Sequence, residues 1–254
     1  MVTLITLLTD FELAETYVGQ VKGAILSIAA SAPIVDLTHA VPPQDIAAGA
    51  FLLWSAVETF PAGTIHVAVV DPGVGSARRA VALRTTRDHL FVGPDNGLLL
   101  PAVERLGGID QAVELTDQRY WRPAASTTFH GRDIFGPVAG HLANGVPLGE
   151  LGRAIADVER LELPGPDGLN GEVLNVDTFG SLITNIPAAS LPADFAVRLG
   201  PHRIRHASHY AAVAPGQLLA LVGSAGLLEI SARDASAAAL TGASRGARVV
   251  VLPV

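Results

Sequence analysis

The chain has 254 residues and a formal net charge of −7, with 17 lysines and arginines against 24 aspartates and glutamates. This length predicts one large domain or two modest ones, and it is enough to bury a core without disulfides or structural metals. Hydrophobic residues make up 49% of the chain and charged residues 16%, which excludes intrinsic disorder. The acidic balance argues against a nucleic-acid-binding protein.

Cysteine is absent from the sequence, so disulfides, thiolate nucleophiles and cysteine-ligated metal centres are excluded. The opening stretch MVTLITLLTD has no basic segment, and its apolar run stops at Asp10. This pattern is typical of a β-strand rather than a signal peptide. No apolar run approaches the roughly 18 residues that a membrane span needs. We therefore expect a cytoplasmic protein that has no membrane partner.

Strand patterns and helix patterns alternate in the first part of the chain. Strands are predicted at 2–8, 34–37, 64–70, 79–83 and 89–92, and helices at 16–30, at 42–57 (opened by Pro42 and Pro43) and at 96–106. Such alternation predicts an α/β domain with a central, mostly parallel sheet.

The pattern changes after residues 163–168, which contain two prolines and two glycines and are typical of a linker. Short strands separated by turn residues follow at 171–176, 182–186, 196–199, 218–222, 227–231 and 247–252. This spacing predicts a small all-β barrel or sandwich. The predicted organisation is an α/β N-terminal domain at 1–162, a linker at 163–168 and an all-β C-terminal domain at 169–254.

Polar residues stand at four predicted strand ends or tight turns, where the active sites of open α/β sheets are found. The first is Asp10, which could accept hydrogen bonds from both hydroxyls of a ribose or could instead cap the following helix. In the second, Asp71 begins a glycine-rich turn that leads to Arg78. This pair could bind a ligand or could simply hold its own loop together, and the turn matches neither common phosphate-binding motif.

The third place is the segment FHGRD at 129–133, in which a histidine suited to proton transfer stands beside a glycine and two charged residues. It could alternatively be a helix start with an acidic first turn. The fourth is the segment DTFGS at 177–181, which on its own is typical of a hairpin turn.

Taken together and in this order, the motifs resemble those of one family, the S-adenosylmethionine (SAM) hydroxide adenosyltransferases. These are adenosine-forming SAM hydrolases related to the SAM-dependent fluorinase and chlorinase. The motifs that carry the resemblance are VVDPGVG at 69–75, GPDNG at 93–97, FHGRD at 129–133, DTFG at 177–180 with TNI at 184–186, and GSAGLLEI at 223–230.

The resemblance implies an N-terminal α/β domain, a C-terminal β-barrel and a homotrimer that binds SAM between the N-terminal domain of one subunit and the C-terminal domain of the next. It also implies a catalytic set of Asp71, Arg78 and His130. SAM is then the substrate, and neither a cofactor nor a metal is implied.

The resemblance further implies that Asp10 holds the ribose hydroxyls, Asp177 the methionine ammonium group and Ser224 the methionine carboxylate. The remaining implied substrate-binding residues are Phe129, Gly131, Phe179 and Ser181.

Two differences from the halogenating relatives favour water as the nucleophile. Asp71 and Val74 stand where the halogenases carry tyrosine and threonine, and Gly131 stands where the fluorinase carries a halide-contacting serine. Two departures concern substrate binding instead. Glu12 replaces a glycine in the turn after Asp10, and Ser181 replaces the family's adenine-reading asparagine.

These residues suit attack of water on the 5′ carbon of a sulfonium, because the methionine leaves as a neutral thioether and needs no general acid. We hypothesise that Arg78 and His130 orient and polarise one water while Asp71 accepts a hydrogen bond from it and positions it. Two other functions fit the same motifs: a SAM-dependent halide transferase that forms 5′-chloro-5′-deoxyadenosine, and a non-catalytic sensor of SAM or adenosine.

Overall fold

The structure is a computed structural model that describes residues 3–254. Val2, the first residue of the first predicted strand, lies outside the described residues. The chain divides into two compact units, Met1–Leu163 and Pro164–Val254. None of the described helices is long and apolar enough to cross a membrane.

The first unit is an α/β domain with one seven-stranded sheet. Its elements in chain order are β1 (Ile5–Thr9), α1 (Tyr17–Leu26), β2 (Ile34–Thr38), α2 (Ile46–Ala56), β3 (Ile65–Val69), β4 (Ala80–Thr85), β5 (Leu90–Pro94), α3 (Leu100–Arg105), β6 (Ile109–Glu114), α4 (Gly136–Ala143) and β7 (Arg153–Ala154).

The strand order in this sheet is β2-β1-β3-β5-β4-β6-β7. Strands β2, β1, β3 and β5 are parallel, and the remaining pairs are antiparallel. Helices α1 and α4 pack on one face of the sheet, and α2 and α3 on the other, so that the central strand β3 is buried throughout. The register pairs Thr9 with Val69, so the chain leaves β1 and β3 at the same edge of the sheet.

Two predicted helices begin later than expected. The prediction that Pro42 and Pro43 open a helix is wrong, because α2 begins at Ile46. Its N-cap is Asp45, whose carboxylate accepts a hydrogen bond from the backbone of Ala48 at 2.9 Å. Helix α3 likewise begins at Leu100 rather than near residue 96, because Gly97 adopts a left-handed conformation with a φ of 89°.

The second unit is an antiparallel barrel-like sheet. Its elements are β8 (Asn170–Val176), β9 (Leu182–Pro187), β10 (Phe195–Leu199), β11 (His202–Arg205), β12 (Leu218–Val222), β13 (Leu227–Ala232), α5 (Ala237–Thr241) and β14 (Arg248–Pro253).

The strands of the second unit follow the order β11-β10-β14-β8-β9-β13-β12. A bridge between His206 and Ala220 brings the two edge strands together, which nearly closes the barrel. The predicted fold class is therefore confirmed for both parts of the chain. In this unit β11 and α5 were not predicted, because HRIR has a single β-branched residue and no aromatic one, and α5 has only five residues, which is short for a helix.

Candidate functional site

A cavity of about 370 Å³ opens in the first unit at the edge of the sheet where β1 and β3 end. The carboxyl ends of parallel strands are the usual position for a ligand site in such sheets. The residues that line the cavity are Asp10, Phe11, Tyr17, Pro43, Gln44, Val69, Asp71, Pro72, Val74, Thr128, His130 and Gly131.

The side chains of Asp71 and Arg78 form a buried two-point ion pair. Arg78 Nε donates to Asp71 Oδ1 at 2.9 Å, and Arg78 Nη2 donates to Asp71 Oδ2. Their exposed side-chain fractions are only 5% for Asp71 and 9% for Arg78. Asp71 lines the cavity, whereas Arg78 is not among the lining residues. Arg78 therefore holds the Asp71 carboxylate in place from the side away from the cavity.

His130 joins this pair through the same guanidinium group. Arg78 Nη2 lies 2.8 Å from His130 Nδ1. Because a guanidinium can only donate, Nδ1 must carry the lone pair, and the neutral ring holds its hydrogen on Nε2. Burial lowers the pKa of His130, and the charge of Arg78 lowers it further. The ring is therefore neutral at neutral pH.

The 71–78 loop is held close to the segment before His130. Gly75 has a φ of 77°, and a Cβ built on it would lie 2.4 Å from the carbonyl oxygen of Thr127. Only glycine permits both this conformation and this close approach. The glycine-rich turn thus brings Asp71 and Arg78 up against the histidine segment.

Asp10 lies in the cavity and does not cap the following helix. Its Oδ2 accepts a hydrogen bond from the backbone of Gln44 at 2.9 Å, while the N-cap position of α1 belongs to Thr16. The loop before α2 therefore fixes one oxygen of the Asp10 carboxylate. A carboxylate has two oxygens with several lone pairs, so Asp10 can still accept hydrogen bonds from a ligand.

Three aromatic rings cluster beside the cavity. Phe129 packs edge-on against Phe11 and Tyr17, with ring centroids 5.7 and 5.3 Å apart. Phe129 is not itself a lining residue, but it supports two that are. A Cβ built on Gly131 would lie 3.4 Å from the Phe11 ring. Because Gly131 has no side chain, the Phe11 ring can pack directly against its backbone at the cavity wall.

A second cavity, of about 560 Å³, lies in the second unit. Its lining includes Phe179, Ser181 and Tyr210. The Phe179 side chain is unusual for an aromatic residue, because 81% of its surface is exposed.

Ser181 belongs to a buried polar network beneath this cavity. Ser231 Oγ donates to Glu229 at 2.6 Å and lies 2.9 Å from Ser181 Oγ. The hydroxyl group of Tyr210 also donates to Glu229, at 2.8 Å.

The other two candidates of this unit lie at opposite ends of β9. Asp177 Oδ1 accepts hydrogen bonds from the backbones of Phe179 and Ser181 at 3.0 and 2.8 Å, so it builds the turn that precedes β9. Ser224 is exposed in the turn between β12 and β13. The register pairs Leu227 with Pro187, which places that turn beyond the far end of β9.

Family models match both units of the chain. Residues 5–152 match the SAM hydroxide adenosyltransferase N-terminal domain, and residues 171–250 match the SAM hydroxide adenosyltransferase C-terminal domain. The chain belongs to the SAM hydroxide adenosyltransferase family.

Named relatives and a solved structure agree with this. The chain is 44% identical over 251 residues to an (R)-S-adenosyl-L-methionine hydrolase of Salinispora arenicola, covering 95% of each chain. It is 32% identical over 218 residues to a fluorinase of Actinoplanes sp., covering 74% of this chain and 73% of the fluorinase. The crystal structure of an uncharacterized conserved protein from Thermotoga maritima superposes with a TM-score of 0.92 at 37% identity, covering 97% of this chain and 99% of that one.

The first unit contains a buried carboxylate, Asp133, for which the sequence predicted only the alternative role of an acidic residue in the first turn of a helix. Burial alone would raise the pKa of Asp133, but hydrogen bonds from Arg132 and from the backbone of Ser126 outweigh burial and hold the pKa at about 2. The carboxylate thereby ties the segment before His130 to the helical turn after it.

Several lining residues were not predicted as site residues. Phe11 and Tyr17 belong to the stretch that also contains Asp10, and aromatic residues so close to a candidate carboxylate were the signal available. Gln44 and Thr128 gave no such signal, because both lie in loops and only the folded path of those loops brings them to the cavity. Among residues 3–254, no three histidine, aspartate or glutamate side chains form a group that could hold a metal ion.

The turn after Asp10 yields a stability prediction. Glu12 has a φ of 56°, a left-handed conformation that costs a non-glycine residue about 1–2 kcal/mol. We expect Glu12→Gly to raise the free energy of unfolding by about 0.5–1 kcal/mol, because glycine adopts this φ freely but loses more entropy on folding. Urea unfolding measures the change. Glu15→Gly is the control, since Glu15 is also exposed in this loop but lacks a positive φ and should not be stabilised.

Proposed function

We propose that this protein hydrolyses SAM to adenosine and L-methionine by in-line attack of water on the ribose 5′ carbon. The observation that carries the proposal is the Asp71–Arg78–His130 constellation, with Asp71 and His130 facing the same cavity as Asp10. The family membership and the similarity to the Salinispora (R)-S-adenosyl-L-methionine hydrolase support the same reaction.

In this reaction the water oxygen forms a bond to the 5′ carbon as the bond between that carbon and sulfur breaks. The bonding electron pair passes to sulfur, which leaves as the neutral thioether of methionine. The water loses one proton, which finally reaches the solvent. Asp71 accepts a hydrogen bond from the water, and the Nε2–H of His130 donates to the water oxygen. These two opposite roles fix the direction of the attacking lone pair.

Arg78 acts through its two partners rather than on the water. Its guanidinium binds both Asp71 oxygens and His130 Nδ1, and it does not line the cavity. It thus holds Asp71 in place and holds His130 in the tautomer that donates from Nε2. This modifies the hypothesis from sequence that Arg78 itself polarises the water.

Substrate contacts are proposed on the same basis. Asp10 accepts hydrogen bonds from the ribose hydroxyls with the oxygen that Gln44 leaves available. The exposed ring of Phe179 and the polar edge of Ser181 receive the adenine. The methionine ammonium and carboxylate groups share one carbon, so Asp177 and Ser224, at opposite ends of β9, cannot hold both groups from one chain. We retain Asp177 for the ammonium group. Phe129 and Gly131 shape the wall beside the reacting carbon.

The stereochemistry of the substrate follows the name of the relative. In (R)-S-adenosyl-L-methionine the amino-acid carbon is already specified as L, so the R label describes the sulfonium. We therefore include in the proposal a preference for the SAM epimer that is R at sulfur.

The decisive experiment separates the products of purified protein incubated with each SAM epimer, with and without chloride, in water enriched in heavy oxygen. Labelled adenosine and methionine, formed at a rate that chloride does not change, is the expected result. A chlorinated nucleoside would instead make the protein a halide transferase. SAM binding without turnover would make it a sensor.

A homotrimer with active sites between subunits is also part of the proposal. The exposed ring of Phe179 beside the second cavity supports this, because a neighbouring subunit that binds SAM there would cover the ring.

Mixed oligomers test the shared site. We expect Asp71→Asn and Asp177→Asn to be poorly active alone, whereas their co-expression should restore about a quarter of the parental activity per site, because a random mixture assembles that share of intact sites. Hydrolysis rates of the co-purified mixture, made with two different affinity tags, give the measurement. Activity no higher than that of the single variants would place each site within one chain.

A further inference from the structure

The 93–97 segment (GPDNG) is one of the motifs that carry the family resemblance, yet none of its residues lines the cavity. It begins in the last two residues of β5, the strand beside β3. A Cβ built on Gly93 would lie 2.4 Å from the carbonyl oxygen of Ala68, so the segment passes unusually close to the end of β3. The segment contacts the residues next to Asp71 and Arg78, namely Val70 and Arg79.

Asn96 holds the residue before Asp71. Its Nδ2 donates to the carbonyl oxygen of Val70 at 2.9 Å, and its Oδ1 accepts from the backbone of Leu98 at 3.2 Å. The Val70 carbonyl and the Asp71 amide belong to one planar peptide unit. A hydrogen bond to that carbonyl therefore sets the direction in which Asp71 leaves the strand.

Asp95 holds the residue after Arg78. Its Oδ2 accepts from Arg79 Nε at 2.7 Å, and its backbone N–H donates to the Arg79 carbonyl oxygen at 3.0 Å. The Asp95 side chain is almost fully buried, and its other oxygen accepts from the backbone of Glu159 at 2.8 Å. Arg78 Nη1 also lies 3.3 Å from the same Arg79 carbonyl oxygen.

We propose that Asp95 and Asn96 are positioning residues that hold the two ends of the 71–78 loop at one point and thereby aim Asp71 and Arg78 at the reacting water. The inference rests on the proposed function, in which Asp71 receives a hydrogen bond from that water. Asn96 and Asp95 hold the residues that flank the loop, Val70 and Arg79. Inside the loop, the Asp71–Arg78 ion pair and the close packing of Gly75 against the Thr127 carbonyl restrict its motion. The loop then has little freedom to turn away from the cavity.

Asn96→Asp tests this with a small change. It keeps the size of the side chain and the Oδ1 acceptor, but it removes the hydrogens that Nδ2 donates to Val70. The matched control is Asn144→Asp, because Asn144 Nδ2 donates to the carbonyl oxygen of Ile28 at 2.8 Å and Asn144 does not line the cavity. We expect Asn96→Asp to lower kcat by about 10- to 100-fold with less than a threefold change in KM, and the control to keep kcat within about twofold.

A second readout needs no substrate. Burial is the main cause that lowers the pKa of His130, and the charge of Arg78 beside the ring is the second. The charges of Asp71 and Asp133 raise that pKa. If Asn96→Asp lets Arg78 move away, the His130 titration followed by NMR of the ring nitrogens should shift upward, toward the ordinary value. His130→Gln identifies the signal.

The two proposals can fail separately. A parental protein that does not hydrolyse either SAM epimer would overturn the proposed function, while the His130 titration would still report whether Asn96 positions the loop. Unchanged kcat together with an unchanged His130 titration in Asn96→Asp would overturn the positioning role, whatever happens to thermal stability. Asp95→Asn, which removes the charge facing Arg79 and replaces one of the two acceptor oxygens with a donor NH2 group, is the second variant and decides the matter on the same two readouts if Asn96→Asp does not fold.

Discussion

Replacing Asp71 with asparagine is expected to lower kcat for SAM hydrolysis by about 100- to 1,000-fold while changing SAM affinity by less than about tenfold. Asparagine has the shape of aspartate, but it presents only one acceptor oxygen. Because Arg78 already donates a hydrogen bond to each Asp71 oxygen, the amide cannot satisfy Arg78 and hold the water in the same geometry. The loss falls on the reacting water, which matters in the transition state and little in the bound substrate.

Steady-state kinetics and calorimetric titration with SAM measure the two quantities separately. Asp10→Asn is the matched control, because it is the same chemical change in the same cavity at a position assigned to the ribose hydroxyls. It should raise KM more than it lowers kcat. Equal losses of kcat and affinity in Asp71→Asn would show that Asp71 binds the substrate and does not serve the water.

The position of the site was predictable because it depends on local signals. Residues 64–70 (TIHVAVV) form a mostly apolar run that is followed by Asp-Pro-Gly, which is how a buried parallel strand ends. The strand that the structure contains, β3, ends at Val69, so Asp71 falls at the functional edge of the sheet. The same reasoning placed Asp10 at the end of β1.

The partners of these residues depend on tertiary structure and were not predictable. Which backbone group bonds to Asp10 depends on the left-handed conformation of Gln44, and nothing in the sequence Pro-Pro-Gln-Asp announces it. The Asp71–Arg78 pair could be proposed because both lie in one short turn. The hydrogen bond from Arg78 to His130 joins residues 52 positions apart, so it required the fold.

Residues placed by strand register show the same limit. Asp177 and Ser224 belong to two hairpin turns that look equivalent in sequence. The antiparallel pairing of β9 with β13 places these turns at opposite ends of β9. Register is set by burial of whole strands, and no local motif records it.

Acid is expected to destabilise the first unit through His66, a fully buried residue on β3. Its Nδ1 lies 2.8 Å from Thr6 Oγ1, and its Nε2 lies 3.2 Å from His89 Nδ1. Burial lowers the pKa of His66 from 6.5 to about 3, and the neighbouring His89 also lowers it. The folded protein therefore keeps this ring neutral at a pH at which the unfolded chain protonates it.

The direction of the effect follows from this proton difference. The contribution of His66 to the free energy of unfolding is fully present above a pH of about 6.5. It falls as the pH drops toward 3, by up to about 1.4 kcal/mol per pH unit. Between pH 6.5 and 4.5 the His66 contribution to the free energy of unfolding should fall by about 2–3 kcal/mol. Urea unfolding followed by tryptophan fluorescence isolates the first unit, because Trp54 and Trp121 are the two tryptophans of the chain and both lie in it.

Two variants separate titration from packing. His66→Asn should be less stable than the parent at pH 8, because it loses ring contacts with Phe91, but its stability should fall less steeply as the pH drops. Thr6→Val removes the hydroxyl partner and leaves the buried ring, so it should lower the whole curve by about 1 kcal/mol without reducing the slope. Parallel curves for His66→Asn and the parent would mean that the acid sensitivity of this unit comes from other groups. If only the His66→Asn curve is flatter, the acid sensitivity of this unit comes from β3, the strand that leads to Asp71. Acid would then destabilise the same edge of the sheet that carries the candidate site.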